Sequence, residues 1–215
     1  QLFTFGGDSM TTIAFPTLSR AAPSSMQWRL ESNTRTFVSP LDGSVYTTEM
    51  PGAKWAFTLD LPSLQEADAA LLQAFLLKLR GQTNNFTMHN WARPIPRGTA
   101  LGSPVVNNSS GSPLTSQTGA SLITNGWTAG ATMKAGDYFG VNSELKMSVA
   151  DSTADGGGNM VLTFEPPLRN SPSHGAAITT TRPTAIFMLT EPRSEWSNSP
   201  GGFSSFSLQG IEQFL

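Results

Sequence analysis

The chain has 215 residues, enough for one large domain or two small ones, and 38% are hydrophobic, including 13 Phe, 5 Trp and 8 Met, so a packed core is expected and disorder throughout is excluded. Only 13% of residues are charged, about half the usual share for a soluble domain. The 13 basic and 15 acidic residues give a formal net charge of -2 and form no dense run, which argues against specific nucleic-acid binding.

The absence of cysteine excludes disulfides, thiolate metal sites and thiol catalysis together. No apolar segment is long enough to span a membrane as a helix. Gln1-Leu2-Phe3-Thr4-Phe5 opens without a basic n-region, so no signal peptide is expected, although a chain that begins with Gln is open to having lost residues upstream. With 20 Gly and 15 Pro, the chain turns often, as short strands and long loops require. Sparse charge also suits a surface covered by other subunits, because few long charged side chains must be desolvated.

In chain order, Met26, Trp28 and Leu30 alternate with Gln27 and Arg29, and Trp55, Phe57, Leu59 and Leu61 alternate with Ala56, Thr58 and Asp60. A period of two predicts half-buried strands between Ser25 and Leu61, with a turn at Pro40-Leu41-Asp42-Gly43 and another at Pro51-Gly52. One helix is predicted over 64–80. Ser63 and Glu66 form a capping-box pattern, Gly81 supplies a left-handed C-cap, and Leu64, Ala67, Leu71, Leu72, Phe75, Leu76 and Leu79 make one apolar stripe. That stripe is expected to pack on a sheet. Asn85-Phe86-Thr87-Met88 reads as a further strand.

From Pro94 to Pro113 the sequence is rich in Pro, Gly, Ser and Asn and reads as loop. Strands are then predicted near Ser121–Ile123, Asp137–Val141, Leu145–Val149, Met160–Phe164 and Ala177–Thr179, which together suggest a small β-barrel or sandwich. Beyond Arg182-Pro183, Ile186–Leu189 and Phe203–Leu208 are strand-like and resemble the first part of the chain in composition. The fold class is therefore mainly β with one main helix. A split domain (1–93 and 182–215) carries an inserted all-β domain (94–181).

Candidates for chemistry are few. His89 and His174 lack carboxylates at metal-ligand spacing. Asp137, Asp151, Asp155 and Glu165 lie near strand ends, with Asp137 and Asp151 in turn-like settings, and no nucleophile elbow, phosphate loop or dinucleotide fingerprint is found. No catalytic residue, metal site or cofactor is expected. Asn85-Phe86-Thr87 and Asn108-Ser109-Ser110 match the glycosylation acceptor pattern, as chance allows in a chain this rich in Asn and Ser. Trp28 and Trp55 read as core. Trp127 and Trp196, in loop-like segments, read as covers for the core edge or anchors for a partner. Trp127 with Tyr138 offers a carbohydrate platform for host adhesion.

Several stretches resemble one family. They are Trp55-Ala56-Phe57-Thr58-Leu59-Asp60-Leu61-Pro62, Phe75-Leu76-Leu77-Lys78-Leu79-Arg80-Gly81 and Arg93-Pro94-Ile95-Pro96-Arg97-Gly98-Thr99-Ala100. Gln117-Thr118-Gly119, Gly126-Trp127, Lys134-Ala135-Gly136-Asp137-Tyr138-Phe139 and Pro166-Pro167-Leu168-Arg169 add to them. Together, over about 25–190, they resemble the distal tail (Dit-like) and minor tail proteins of long-tailed bacteriophages.

The resemblance implies a virion structural protein at the distal end of the tail. It would form a homo-oligomeric ring, usually of six copies, joining the tail tube protein to baseplate hub or tail tip proteins. It also implies a belt domain, here 1–93 with 182–215, and a peripheral OB-like or galectin-like sandwich, here 94–181. Under the same resemblance the segment from Phe203 to Leu215, with Phe203, Phe206, Leu208 and Phe214, is a candidate ring interface. A host-surface glycan is a further candidate partner.

Overall fold

A computed structural model describes residues 10–19, 23–108 and 116–214. Strands β1 (Thr12–Ala14) and β2 (Ser25–Glu31) precede a hairpin of β3 (Thr34–Val38) and β4 (Val45–Glu49). Strand β5 (Lys54–Leu64) leads into helix α1 (Glu66–Leu79), and β6 (Asn85–His89) follows. The middle of the chain holds β7 (Gly102–Val106), β8 (Gly119–Trp127), β9 (Thr132–Met133), β10 (Tyr138–Val141), β11 (Glu144–Ser148), β12 (Ser152–Thr153), β13 (Met160–Leu168) and β14 (Ile178–Thr179). The chain then closes with β15 (Thr184–Leu189), β16 (Ser197–Ser199) and β17 (Phe203–Glu212). It is a mainly β protein with several sheets and one main helix.

The chain forms two compact units, 1–27 with 57–88 and 186–215, and 28–56 with 89–185. The expected split places all of 1–93 in one domain, whereas here 28–56 belongs with the middle of the chain. Trp55 explains the difference. Its indole N–H donates to the Leu145 carbonyl at 2.9 Å, and its ring meets Tyr138 edge-on at 5.7 Å and Trp28 at 6.1 Å. Arg169 adds a hydrogen bond to the Ala53 carbonyl at 3.2 Å.

One sheet has the order β1-β6-β15-β17-β5-β2, with β16 paired to β17. The period-two pattern of β5 places Phe57, Leu59 and Leu61 in the core as expected. Phe57 meets Phe187 edge-on at 5.0 Å and Phe86 at 6.1 Å, an aromatic arrangement that favours ring-edge contact over face-to-face stacking. A Cβ at Gly210 would lie 2.5 Å from the Phe57 ring, so only glycine lets β17 approach here. Helix α1 packs on this sheet through Phe75, which meets Phe86 at 5.6 Å.

The helix differs from its prediction at both ends and on one side. Strand β5 runs on to Leu64, although Ser63 within it has φ 54°, and the Ser63 N–H donates to Ser205 Oγ at 3.4 Å. Gln65 is the N-cap, with no side-chain cap bond; Arg80 is the C-cap with φ 49°, and Gly81 after it is left-handed as expected, with φ 68°. Of the predicted stripe, Leu72, Phe75, Leu76 and Leu79 are buried, whereas Ala67 and Leu71 are exposed.

In the second unit, β14-β10-β11-β13-β8-β7 form a six-stranded sheet. It curls like a half-barrel, because Val105 of β7 bridges to Ala177 beside β14 at the opposite end of the order. Strand β7 lies in the stretch read as loop. Pro104 lacks an N–H, yet a strand at the end of the sheet order tolerates it. The core inside the curl includes Leu122, Trp127, Phe139, Leu162 and Phe164.

That unit also buries an ion pair. Lys146 Nζ lies 2.6 Å from Glu144 Oε2 and donates to the Pro167 carbonyl at 2.8 Å. Glu144 accepts the backbone N–H of Arg169 at 3.2 Å. Removing one partner strands a charge in a dry site, whereas removing both leaves only a packing change. Lys146→Met is expected to cost about 3–5 kcal/mol in denaturant unfolding. Adding Glu144→Gln is expected to recover much of that loss, and a fully additive double variant would contradict a coupled pair.

Candidate functional site

Three of the four acidic residues considered for catalysis are spent on turns, and Glu165 lies on β13. Asp137 is buried and accepts the N–H groups of Arg97 at 2.7 Å, Lys134 at 2.8 Å and Gly98 at 3.0 Å. Asp151 accepts the Ala135 N–H at 2.9 Å and pairs with Lys134 at 2.9 Å. The Asn159 and Gly157 contacts of Asp155 hold its carboxyl below the usual range. Burial pushes the Glu165 carboxyl up, and Glu49 adds to the shift.

His89 is half-buried and stacks on Trp91 at 6.1 Å; burial, then the Arg182 charge, lowers its pKa. His174 Nδ1 accepts the Asn108 N–H at 3.1 Å. Among the described residues no group of three or more His, Asp or Glu side chains could hold a metal. Asn85 and Asn108, the glycosylation-pattern positions, are buried, and Ser109-Ser110 lie outside the described residues.

The aromatic candidates part company. Trp127 is buried in the second unit, with its indole N–H donating to Thr124 Oγ1 at 2.7 Å. Tyr138 is buried as well. Neither turns a ring face to solvent, so the platform expected of them is not built. The segment of Trp127 that reads as loop is the end of β8, where the ring turns inward.

Trp196 is half-exposed in the first unit. It sits 6.4 Å from Phe206 and lines a cleft of about 500 Å3 with Asp60, Glu191, Arg193, Glu195 and Gln209. Hydrogen bonds from the Ser25 and Ser207 hydroxyls hold the Asp60 carboxyl below its ordinary value.

The segment expected to form an interface is mostly interior. Phe206 and Leu208 are inward residues of β17, buried in the single chain, and both line the same cleft as Trp196. Phe203 is exposed at the strand start, and Phe214 is half-buried.

The surface that stands out reads in the sequence only as strand and turn. Strands β3 and β4 form a two-stranded sheet of their own, and every residue in both is exposed. Phe37 pairs across with Tyr46, and Val38 with Val45. Phe37 is 63% exposed, Tyr46 64% and Leu41, in the connecting turn, 96%. The turn is held by Asp42, which accepts the Ser44 N–H at 3.1 Å and its hydroxyl at 2.8 Å. Hydrogen bonds from Ser39, then Ser44, hold the Asp42 carboxyl down at about 2. Asp42 is ionised at neutral pH, and its turn presents Leu41 to solvent.

A second exposed apolar surface lies on α1 in the first unit. Leu71 is 51% and Leu77 64% exposed, with exposed Ala67, Ala70 and Ala74 on the same side. A helix apolar all round is normally covered on both sides.

No family model matches the sequence, and no match to a curated protein was found.

Trp127→Ala is expected to cost about 3–5 kcal/mol of stability, because it empties a packed site and removes one of the two hydrogen bonds at Thr124 Oγ1. Thermal unfolding checks this. An unchanged Tm would mean that the ring is not part of the core.

Proposed function

We propose that this chain is a virion structural protein that assembles into a ring, of six copies as the tail-protein resemblance implies, joining the tail tube to the baseplate or tail tip at the distal end of a phage tail. In this reading the unit 1–27, 57–88 and 186–215 is the belt, and the curled sheet of the other unit is the peripheral OB-like or sandwich module. The work is geometric. No substrate turns over.

The observation that carries the proposal is the β3–β4 hairpin. A lone two-stranded hairpin is marginal in water, and this one leaves Phe37, Val38, Leu41, Val45 and Tyr46 uncovered by its own chain. Clustered exposed apolar side chains mark a protein-binding surface. Sparse charge over the whole sequence lowers the desolvation cost of covering more of it. The carbohydrate reading loses its motivation, because Trp127 and Tyr138 are buried.

Native mass spectrometry and electron microscopy of the purified protein, alone and with tail components, test the proposal. A closed ring is expected. Phe37→Ser with Tyr46→Ser is expected to raise the dissociation constant of the assembly at least about tenfold, with Tm changed by less than about 2 °C, since both side chains are exposed. A monodisperse monomer under every condition would contradict it.

A further inference from the structure

We infer that the β3–β4 hairpin of one copy docks along the exposed face of α1 in a second copy, with its tip toward the C-terminal end of the helix. This inference rests on the assembly reading and specifies the contact that would make it. Four observations lead there.

First, both surfaces are exposed. Second, they are unlike. One is a two-stranded arm bearing Phe37, Tyr46 and Leu41, and the other is a helix side bearing Leu71 and Leu77. Contact between unlike patches of identical molecules is head-to-tail, which closes into a ring when the rotation permits.

Third, the lengths agree. Six residues separate Arg35 from Leu41, at most about 20 Å of extended chain. Glu66 and Lys78 are 12 residues apart on the helix, about 18 Å along its axis.

Fourth, the charges agree and set the direction. Alternation along β3 puts Arg35 on the same side as Phe37, which pairs with Tyr46, and Asp42 follows Leu41 at the tip. On α1 the uncovered apolar side is bracketed by Glu66 at its start and Lys78 in its last turn, both exposed. Tip to helix C-terminus brings Asp42 toward Lys78 and Arg35 toward Glu66. The reverse orientation sets Asp42 against Glu66 and Arg35 against Lys78, two repulsive pairs. Such pairs select register and orientation more than they add affinity.

The chain contains no cysteine, so engineered pairs report cleanly. Leu41→Cys with Leu77→Cys is expected to give an intermolecular disulfide ladder under mild oxidation, and Leu41→Cys with Ala67→Cys is not. In parallel, Arg35→Glu and Glu66→Arg are each expected to weaken assembly about tenfold, and the double reversal to return it to within about threefold of the parent.

Three results would overturn the inference. One is a disulfide-linked dimer from Leu77→Cys alone, which would pair helix with helix. Another is a cross-link confined to a single chain. The third is an assembled parent that neither cross-links at 41 and 77 nor responds to the reversals. In each of these the parent still assembles, and native mass reports whether a ring forms independently of this contact. A parent that never assembles contradicts both, and native mass separates the cases.

Discussion

The β3–β4 hairpin cannot bury its own apolar side chains, and that constraint organises the rest of the protein. Each strand has one partner and one open edge, and both faces meet solvent. Phe37 and Tyr46 are paired across the hairpin, a favourable contact, yet worth only a fraction of what full burial of two rings would give. The turn at Asp42 is pre-formed by Ser39 and Ser44, so little conformational entropy remains to be lost when the tip is covered. An arm rigid at its end and apolar along its sides is suited to a protein partner.

The two units are by contrast well satisfied internally. The first has an interlocked set of Phe57, Phe75, Phe86 and Phe187. The second closes a curled sheet over Trp127, Phe139 and Phe164 and tolerates Lys146 inside it because Glu144 and the Pro167 carbonyl meet the ammonium. Acidic side chains that could serve chemistry serve turns instead, Asp137 most completely. Rigid units with spare apolar surface fit the assembly role we propose.

Much of the fold is legible in the sequence because period-two alternation is strong where one face is buried. Trp55 to Leu61 announces β5, and Met160 to Phe164 announces β13. Where alternation fails, the strand is hidden: β7 carries Gly102 and Pro104 and looks like loop. The helix is visible, but its outer side is not, because a sequence cannot say which of two apolar sides is covered. Leu71 belongs to the predicted stripe and lies exposed. The same ambiguity hides the candidate surface. Phe37, Val38, Val45 and Tyr46 have the composition of a core strand, and only the pairing of β3 with β4 alone sets them apart. Trp127 and Phe206 mislead in the opposite sense, as surface residues, because neighbouring Gly and Ser give their segments the look of loops.

Hydrogen exchange at the amides of β3 and β4, compared between assembled and dilute dissociated protein, tests the central claim most directly. Covering of the arm predicts that the outward amides of the two strands exchange at least about tenfold more slowly in the assembly, while the interior of β13 is unchanged. Equal exchange of those amides in both states, in material shown to be assembled, would contradict it.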